Sequence, residues 1–246
     1  MGTLSTERLE WQQALIALLE SLDLGGGLGG DTILPTRLSI INLVKIKLDE
    51  LIPQGEGVIY NLETEPNVSD PLDLYINGLL DEAAKNVLQI APLHMITPVS
   101  SSTVSGTPYT DTKTGYVVLP EDYLRLYSFK MTEWLKEVNV PIGIQSKLYQ
   151  IQRNKYSRGG IAKPVVVLNN RKIGSTVSKI LEYFSVLSAH TIDRFLYIAE
   201  TAAEDLNNDL LEALTWQCAG KILQNIKEFE QSREAYSRAV DSFTNL

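Results

Sequence analysis

Residues 115–134 read GYVVLPEDYLRLYSFKMTEW, and this stretch decides which class of fold we expect. An apolar run opens at Gly115, and a second aromatic and aliphatic run extends from Tyr123 to Trp134; both runs are typical of strands. Pro120 lies between them, and a proline presets a turn and cannot donate a hydrogen bond to a sheet. The stretch therefore predicts a pair of strands joined by a one-turn corner.

The segments on both sides of this strand pair have helical patterns. Apolar residues recur at intervals of three and four, which predicts helices over residues 6–22, 35–51 and 70–91. The Asp-Pro pair that opens the third segment supports its prediction, because Asp caps a helix well and proline suits the first helical position. Residues 207–246 predict one long C-terminal helix, whose first half packs on the 70–91 helix and whose second half leaves the domain body.

Residues 99–200 have a different composition. Their first part, 99–114, is rich in Ser, Thr, Gly and Pro and predicts an extended arm or a long loop. A short helix is expected at 146–154. Alternating β-branched and aromatic residues predict three further strands, at 163–168, 176–186 and 193–200.

These patterns together predict an α+β fold in which a helical core carries a small antiparallel β-rich insertion. The core would consist of N-terminal helices, a central helix and the long C-terminal helix. The predicted parts are an N-terminal helical part of the core at 1–98, a β-rich insertion with an extended arm and a basic loop at 99–200, and a C-terminal helix at 201–246 that packs on the core and docks to a partner.

The composition is that of a soluble globular protein, with 44% hydrophobic and 21% charged residues among 246. No apolar run approaches the length of a membrane span, and the N-terminus lacks the pattern of a secretory leader, so we expect no membrane association. The single cysteine, Cys218, excludes an internal disulfide and a cysteine-based zinc site. We therefore expect a protein of the reducing cytoplasm or of a particle assembled there.

The net charge is −8, yet residues 138–179 contain eight Lys or Arg and no Asp or Glu. An acidic chain with one basic segment has two electrostatic faces. Two interpretations stay open: the segment pairs with acidic groups of the same or an adjacent subunit, or it contacts nucleic acid directly. The candidate contacts are Arg153, Lys155, Arg158, Lys163, Arg171 and Lys172.

Motifs for catalysis or cofactor binding are weak in this chain. Glycines 25, 27 and 30 have the spacing of a dinucleotide-binding loop, but they follow a predicted helix and not a strand, which favours a linker. His94 and His190 each lack a second ligand at metal-binding spacing. Adjacent carboxylates on a helix do not face the same point. We therefore predict no catalytic residue, no metal site and no cofactor, and we do not expect an enzyme.

The block at 115–134 also resembles the central block of head–tail connector (adaptor, ring) proteins of tailed bacteriophages, especially those of Bacteroidales and crAss-like phages. As in those proteins, a helix ending in DEAAKNVLQIAP (81–92) precedes the block, and LTWQCAGKILQNIKEFEQSREAYSRAVDSF (214–243) closes the chain. The resemblance covers roughly residues 70–246 and does not extend to residues 1–65.

The resemblance implies a structural virion protein without catalytic activity. It implies a ring of twelve copies in the phage neck that joins the portal protein to further tail or ring proteins and surrounds the DNA channel, with non-specific contact to genomic DNA. Such a ring is part of the virion and is assembled in the host cytoplasm. The C-terminal helix would reach the portal or another partner, and its candidate docking residues are Phe229, Tyr236, Val240 and Phe243.

Two other classes of function stay open from the sequence. One is a nucleic-acid-binding adaptor or regulator that uses the basic segment 153–172. The other is a hydrolase that acts on cell-wall polymer, which would need two carboxylates converging in a cleft.

Overall fold

The computed structural model of the chain describes residues 35–51, 71–111, 113–187 and 189–244. The helix predicted at 6–22 and the glycine-rich segment after it lie outside the described residues. The chain divides into two compact units. We call residues 1–84 with 202–246 the helical unit, and residues 85–201 the β unit.

The described residues contain five α-helices and eight strands. The helices are α1 (Arg37–Leu51), α2 (Pro71–Ile90), α3 (Lys147–Arg153), α4 (Leu211–Asn225) and α5 (Phe229–Asp241). The strands are β1 (Val99–Ser100), β2 (Gly106–Pro108), β3 (Thr114–Val118), β4 (Tyr123–Met131), β5 (Ile142–Gly143), β6 (Val166–Ile173), β7 (Thr176–Phe184) and β8 (Ile192–Ala199). Helices α1, α2 and α3 lie within segments that the sequence predicts as helical.

The helical unit is held by an apolar core and by one buried ion pair. Ile40, Val44 and Leu48 recur at intervals of four on α1 and are buried, and this helix packs against α4. Lys45 of α1 forms an ion pair with Asp73 in the first turn of α2, and both side chains are almost fully buried. A buried charge is costly without its partner, so the pair ties α1 to the start of α2.

The C-terminal region is a helical hairpin, so the prediction of one long C-terminal helix is wrong. Helix α4 ends in a Schellman motif: the backbone N–H of Glu228 donates to the carbonyl of Leu223 (2.9 Å), and that of Lys227 donates to the carbonyl of Gln224 (3.1 Å). Lys227 has a φ of 71°, in the left-handed region. This reversal brings α5 back against α4.

The hairpin is closed by a close approach of α5 to Gly220 of α4. The hydroxyl of Ser232 donates to the carbonyl of Gly220 at 2.9 Å. A Cβ at position 220 would lie 2.8 Å from the ring of Tyr236, so the contact requires glycine or a shift of the ring. The helix therefore does not project from the helical unit.

The β unit contains two sheets. One has three antiparallel strands in the order β1-β8-β4, and the other has five in the order β2-β3-β7-β6-β5, with β5 and β6 parallel. Strands β3 and β4 do not pair with each other: β3 pairs with β7, and β4 pairs with β8. The predicted strand pair is therefore wrong as a pair, because the corner at Pro120 carries the chain from one sheet to the other.

Both sheets contribute to one aromatic core. Phe129 of β4 is fully buried, and its ring lies 5.6 Å from that of Trp134, 6.4 Å from that of Tyr183 on β7 and 6.3 Å from that of Phe195 on β8. Such aromatic pairs stabilise a core beyond the area they bury. The prediction of a helical core with a small β-rich insertion is therefore wrong: the fold is a mixed α+β fold, and the strands form a compact unit with its own core.

Candidate interaction surfaces

The two units carry opposite net charge. The β unit has fourteen Lys and Arg residues against eight Asp and Glu residues, a net charge of +6. The remainder of the chain has eight against twenty-two, a net charge of −14. The excess of positive charge in this acidic chain therefore lies in the β unit.

One exposed basic feature of the β unit is the end of the β6–β7 hairpin. The ladder between the two strands is continuous from Val166 opposite Tyr183 to Ile173 opposite Thr176. Gly174 opens the two-residue turn with a φ of 62°, at a position where hairpin turns favour glycine. The hairpin is thus a regular two-stranded ribbon up to its turn.

This ribbon extends beyond the core. Along β7, Tyr183 and Leu181 face the core and are fully buried. Lys179 and Val177 follow on the same face, because side chains alternate along a strand, but both are exposed and Val177 retains 66% of its accessible surface. We call residues 170–179 the hairpin tip.

The tip carries cations on both faces of the ribbon. Asn170 lies opposite Lys179, so Lys172 and Lys179 share one face. Arg171 lies on the other face, where its guanidinium is 4.8 Å from the ring centroids of both Tyr109 and Tyr116. These two cation–π contacts hold the arginine in place.

The one acidic residue of β6 and β7 is engaged by hydrogen bonds. Glu182 accepts from the hydroxyl of Tyr109 at 2.8 Å and from the amide of Asn169 at 3.3 Å. Burial, followed by the neighbouring carboxylate, raises the pKa of Tyr109, so its hydroxyl remains a donor at neutral pH. Glu182 is itself buried and leaves the tip without an exposed carboxylate.

Arg158 occupies a different environment from the other predicted contacts. Its guanidinium donates to Asp111 at 2.7 Å, and its side chain is only 10% exposed. A backbone hydrogen bond from Lys113 and the bond from Arg158 lower the pKa of Asp111. Arg158 therefore joins two loops of the β unit and does not offer a surface contact.

The remaining predicted basic contacts are exposed and lie outside the β6–β7 hairpin. Arg153 lies over the ring of Tyr149 at 5.9 Å, and Lys155 lies over that of Tyr156 at 4.9 Å. Lys163 is exposed in the loop before β6. The structure thus groups Arg171 and Lys172 on the tip and adds Lys179, which the predicted contacts did not include. Cross-strand register, which brings Lys179 beside Lys172, could not be read from the sequence.

The four predicted docking residues are divided by the helical hairpin. Phe229 and Val240 are 55% and 51% exposed. Tyr236 packs on Gly220 and its hydroxyl donates to Gln224 at 3.0 Å, while Phe243 is half-buried after the end of α5. Only Phe229 and Val240 keep most of their apolar surface available to a partner.

No protein-family model matches the chain, and no curated protein is significantly similar to it. In the described part of the chain, no helix is long and apolar enough to cross a bilayer.

A shallow depression in the β unit is lined by Lys130, Leu135, Lys136, Glu137 and Arg194. Its single carboxylate, Glu137, accepts hydrogen bonds from Ser128 at 2.8 Å and from Arg194 at 3.1 Å. Glycan hydrolysis by the usual routes requires two facing carboxylates. The depression therefore offers no support to the hydrolase interpretation.

Proposed function

We propose that this chain is a structural virion protein, copies of which form a ring in the neck of a tailed phage. The ring joins the portal to the tail and surrounds the DNA channel. The proposal is supported by the resemblance of residues 70–246 to head–tail connector proteins and by one structural observation, the opposite net charges of the two units.

The charge division suits a conduit for DNA. A surface of net negative charge repels the phosphate backbone, so DNA slides past it without adhering. A local basic element on the same subunit attracts the backbone and keeps the DNA centred. In this chain the excess of acid belongs to the helical unit and the basic element belongs to the β unit.

The same division suits a ring. A closed ring of identical subunits is built from head-to-tail contacts, in which two different patches of the subunit meet. Units with net charges of +6 and −14 provide patches that attract each other between neighbouring copies. The proposed copy number of twelve comes from the resemblance alone.

Docking to the portal or another tail protein is assigned to the α4–α5 hairpin. Phe229 and Val240 supply exposed apolar surface, whereas Tyr236 is committed to the contact with Gly220. The docking element is therefore a rigid hairpin and not a free helix.

Quantitative mass spectrometry of purified virions tests the proposal. We expect about a dozen copies of the chain per particle, the number that the resemblance implies for a single neck ring. Absence of the chain from the particle would overturn the proposal.

A second candidate function is a nucleic-acid-binding adaptor or regulator outside the virion. It is favoured by the net charge of +6 on the β unit. Native mass spectrometry separates the two functions: a protein that binds duplex DNA but forms no ring, alone or with its portal, supports the adaptor.

A further inference from the structure

We infer that the hairpin tip, residues 170–179, is a sequence-independent contact for the phosphates of double-stranded DNA. The inference rests on the proposed function, because the DNA in question is the genome in the channel. It assigns that contact to one element of the β unit, whereas the sequence alone predicts candidate contacts throughout residues 153–172.

The chemistry of the tip is that of a phosphate-binding surface. Its ten residues include three cations and several neutral donors but no carboxylate. The cations are Arg171, Lys172 and Lys179, and the neutral donors are Asn170, Ser175, Thr176 and Ser178. These are the side chains that commonly donate to the DNA backbone.

Position and rigidity make these donors available. The tip lies beyond the core, as the exposure of Lys179 and Val177 shows. Its backbone is fixed by a continuous ladder, and Arg171 is held between two contacts to Tyr109 and Tyr116. Less conformational entropy is lost on binding when the donors are already ordered.

The geometry favours a duplex over a single strand. Proteins that bind single strands stack bases on aromatic side chains, and the ten residues of the tip include none. A two-stranded ribbon fits the major groove of a duplex. Because Arg171 lies on one face and Lys172 and Lys179 lie on the other, the ribbon can reach the phosphates on both sides of a groove.

The test compares two double variants of the full chain that remove the same charge. Lys172→Ala/Lys179→Ala removes two cations of the tip, and Lys136→Ala/Lys147→Ala removes two exposed cations from elsewhere in the β unit. Binding to a mixed-sequence DNA duplex is measured by fluorescence anisotropy between 50 and 300 mM salt. Thermal unfolding establishes that both variants keep the native fold.

We expect the tip variant to bind on the order of 10- to 60-fold more weakly at about 0.1 M salt, with the slope of log K against log salt reduced by about 2. The control variant should bind within about threefold of the wild type. Equal losses in the two variants, or no loss in the tip variant, would overturn the inference.

A parallel measurement of self-association distinguishes the other partner that the tip could meet. Loss of rings with unchanged DNA affinity in the tip variant means that the tip contacts an acidic surface of a second copy, and this also overturns the inference. Failure here leaves the proposed function standing if the chain is present in virions at about a dozen copies. Absence from virions removes the proposed function, whatever the DNA affinity.

Discussion

The two units of this chain reach stability by different means. The β unit places aromatic rings from both sheets in one core around Phe129. The helical unit combines an apolar core with specific polar contacts: the buried pair of Lys45 and Asp73, and the bond from Ser232 to Gly220. The stability of an aromatic core depends on how closely all of its side chains pack. The stability that a buried polar contact contributes is lost when either partner is removed.

Each unit also has to accommodate its own excess of charge. Like charges on the β unit repel one another, and its aromatic core offsets that repulsion together with ion pairs such as those of Lys130 with Asp193 and of Arg158 with Asp111. The helical unit likewise uses part of its excess acid in ion pairs, such as that of Asp81 with Arg37. Substitutions in each unit therefore test the contrast.

The largest effect is expected in the aromatic core. Phe129→Ala removes a ring that contacts three others, and it should lower the free energy of unfolding of the β unit by about 4 kcal/mol. Tyr127→Ala, at a half-buried position of the same strand, should cost much less. Urea unfolding measures both, and equal losses would contradict the assignment of Phe129 to the centre of the core.

Cys218 reports separately on the helical unit in the same experiment. It is the only cysteine, it is fully buried, and burial raises the pKa of its thiol to about 12. A thiol reagent should therefore label it only when the helical unit opens. Unchanged labelling in Phe129→Ala would mean that the units unfold independently, and faster labelling would mean that they unfold together.

Breaking the buried ion pair of Lys45 with Asp73 should cause the second-largest loss of stability. Asp73→Ala leaves the Lys45 ammonium in the interior without its carboxylate, and should destabilise the helical unit by about 3 kcal/mol. Lys45→Met/Asp73→Leu removes both charges and should recover most of that loss. Labelling of Cys218 against urea measures the difference, and a double variant less stable than Asp73→Ala would contradict this account.

A glycine substitution in the turn between α4 and α5 should increase stability, in contrast to the substitutions above. Lys227→Gly relieves a side chain held at positive φ, and should stabilise the helical unit by about 1 kcal/mol. Ser237→Gly, at an exposed interior position of α5, should instead cost about 0.5 kcal/mol. Thermal unfolding of the two variants should shift the midpoint up and down respectively, and a downward shift for Lys227→Gly would disprove the role of the turn.

The smallest effect is expected at acid pH, where the ion pair of Arg37 with Asp81 is lost. The guanidinium of Arg37 donates to both carboxylate oxygens of Asp81, at 3.1 and 3.0 Å, and this lowers the pKa of Asp81. Because the pKa is lower in the folded state, the stabilisation is present above the unfolded value of about 3.9 and is lost as pH falls through the folded value. Asp81→Asn should therefore lose less stability than the wild type between pH 5 and about 3, as measured by urea unfolding. An identical loss in both proteins would rule out this pair as a contributor.

Local patterns in the sequence were sufficient to locate several helices and strands. The Asp-Pro start and the apolar spacing located α2 to within a residue at each end, and alternation located the long strands β7 and β8, but of β6 it predicted only the first three residues. Contacts between distant residues were not accessible in this way. The side chain of Arg158 is largely buried because it pairs with Asp111, and Arg171 is positioned by the ring of Tyr109. The sequence alone shows only that both belong to a basic segment without acidic residues.

The reversal at Lys227 was missed for a different reason. A helix end of this kind usually has glycine at the left-handed position, and lysine gives no such signal. The apolar stripe also continues with helical spacing through the turn, so it predicts one helix where the structure has two. The candidate docking residues were consequently placed on one continuous face.

The pairing of β4 with β8 has a consequence for synthesis on the ribosome. Residues of β8 are added 61 to 76 positions after their partners in β4, from Met131 with Ile192 to Tyr123 with Ala199, which at ordinary elongation rates corresponds to roughly 3–15 s. Throughout that interval the nascent β4, with Leu126, Phe129 and Met131, has no partner strand to cover it. The nascent polypeptide therefore passes through a stage that is sensitive to aggregation at every round of translation.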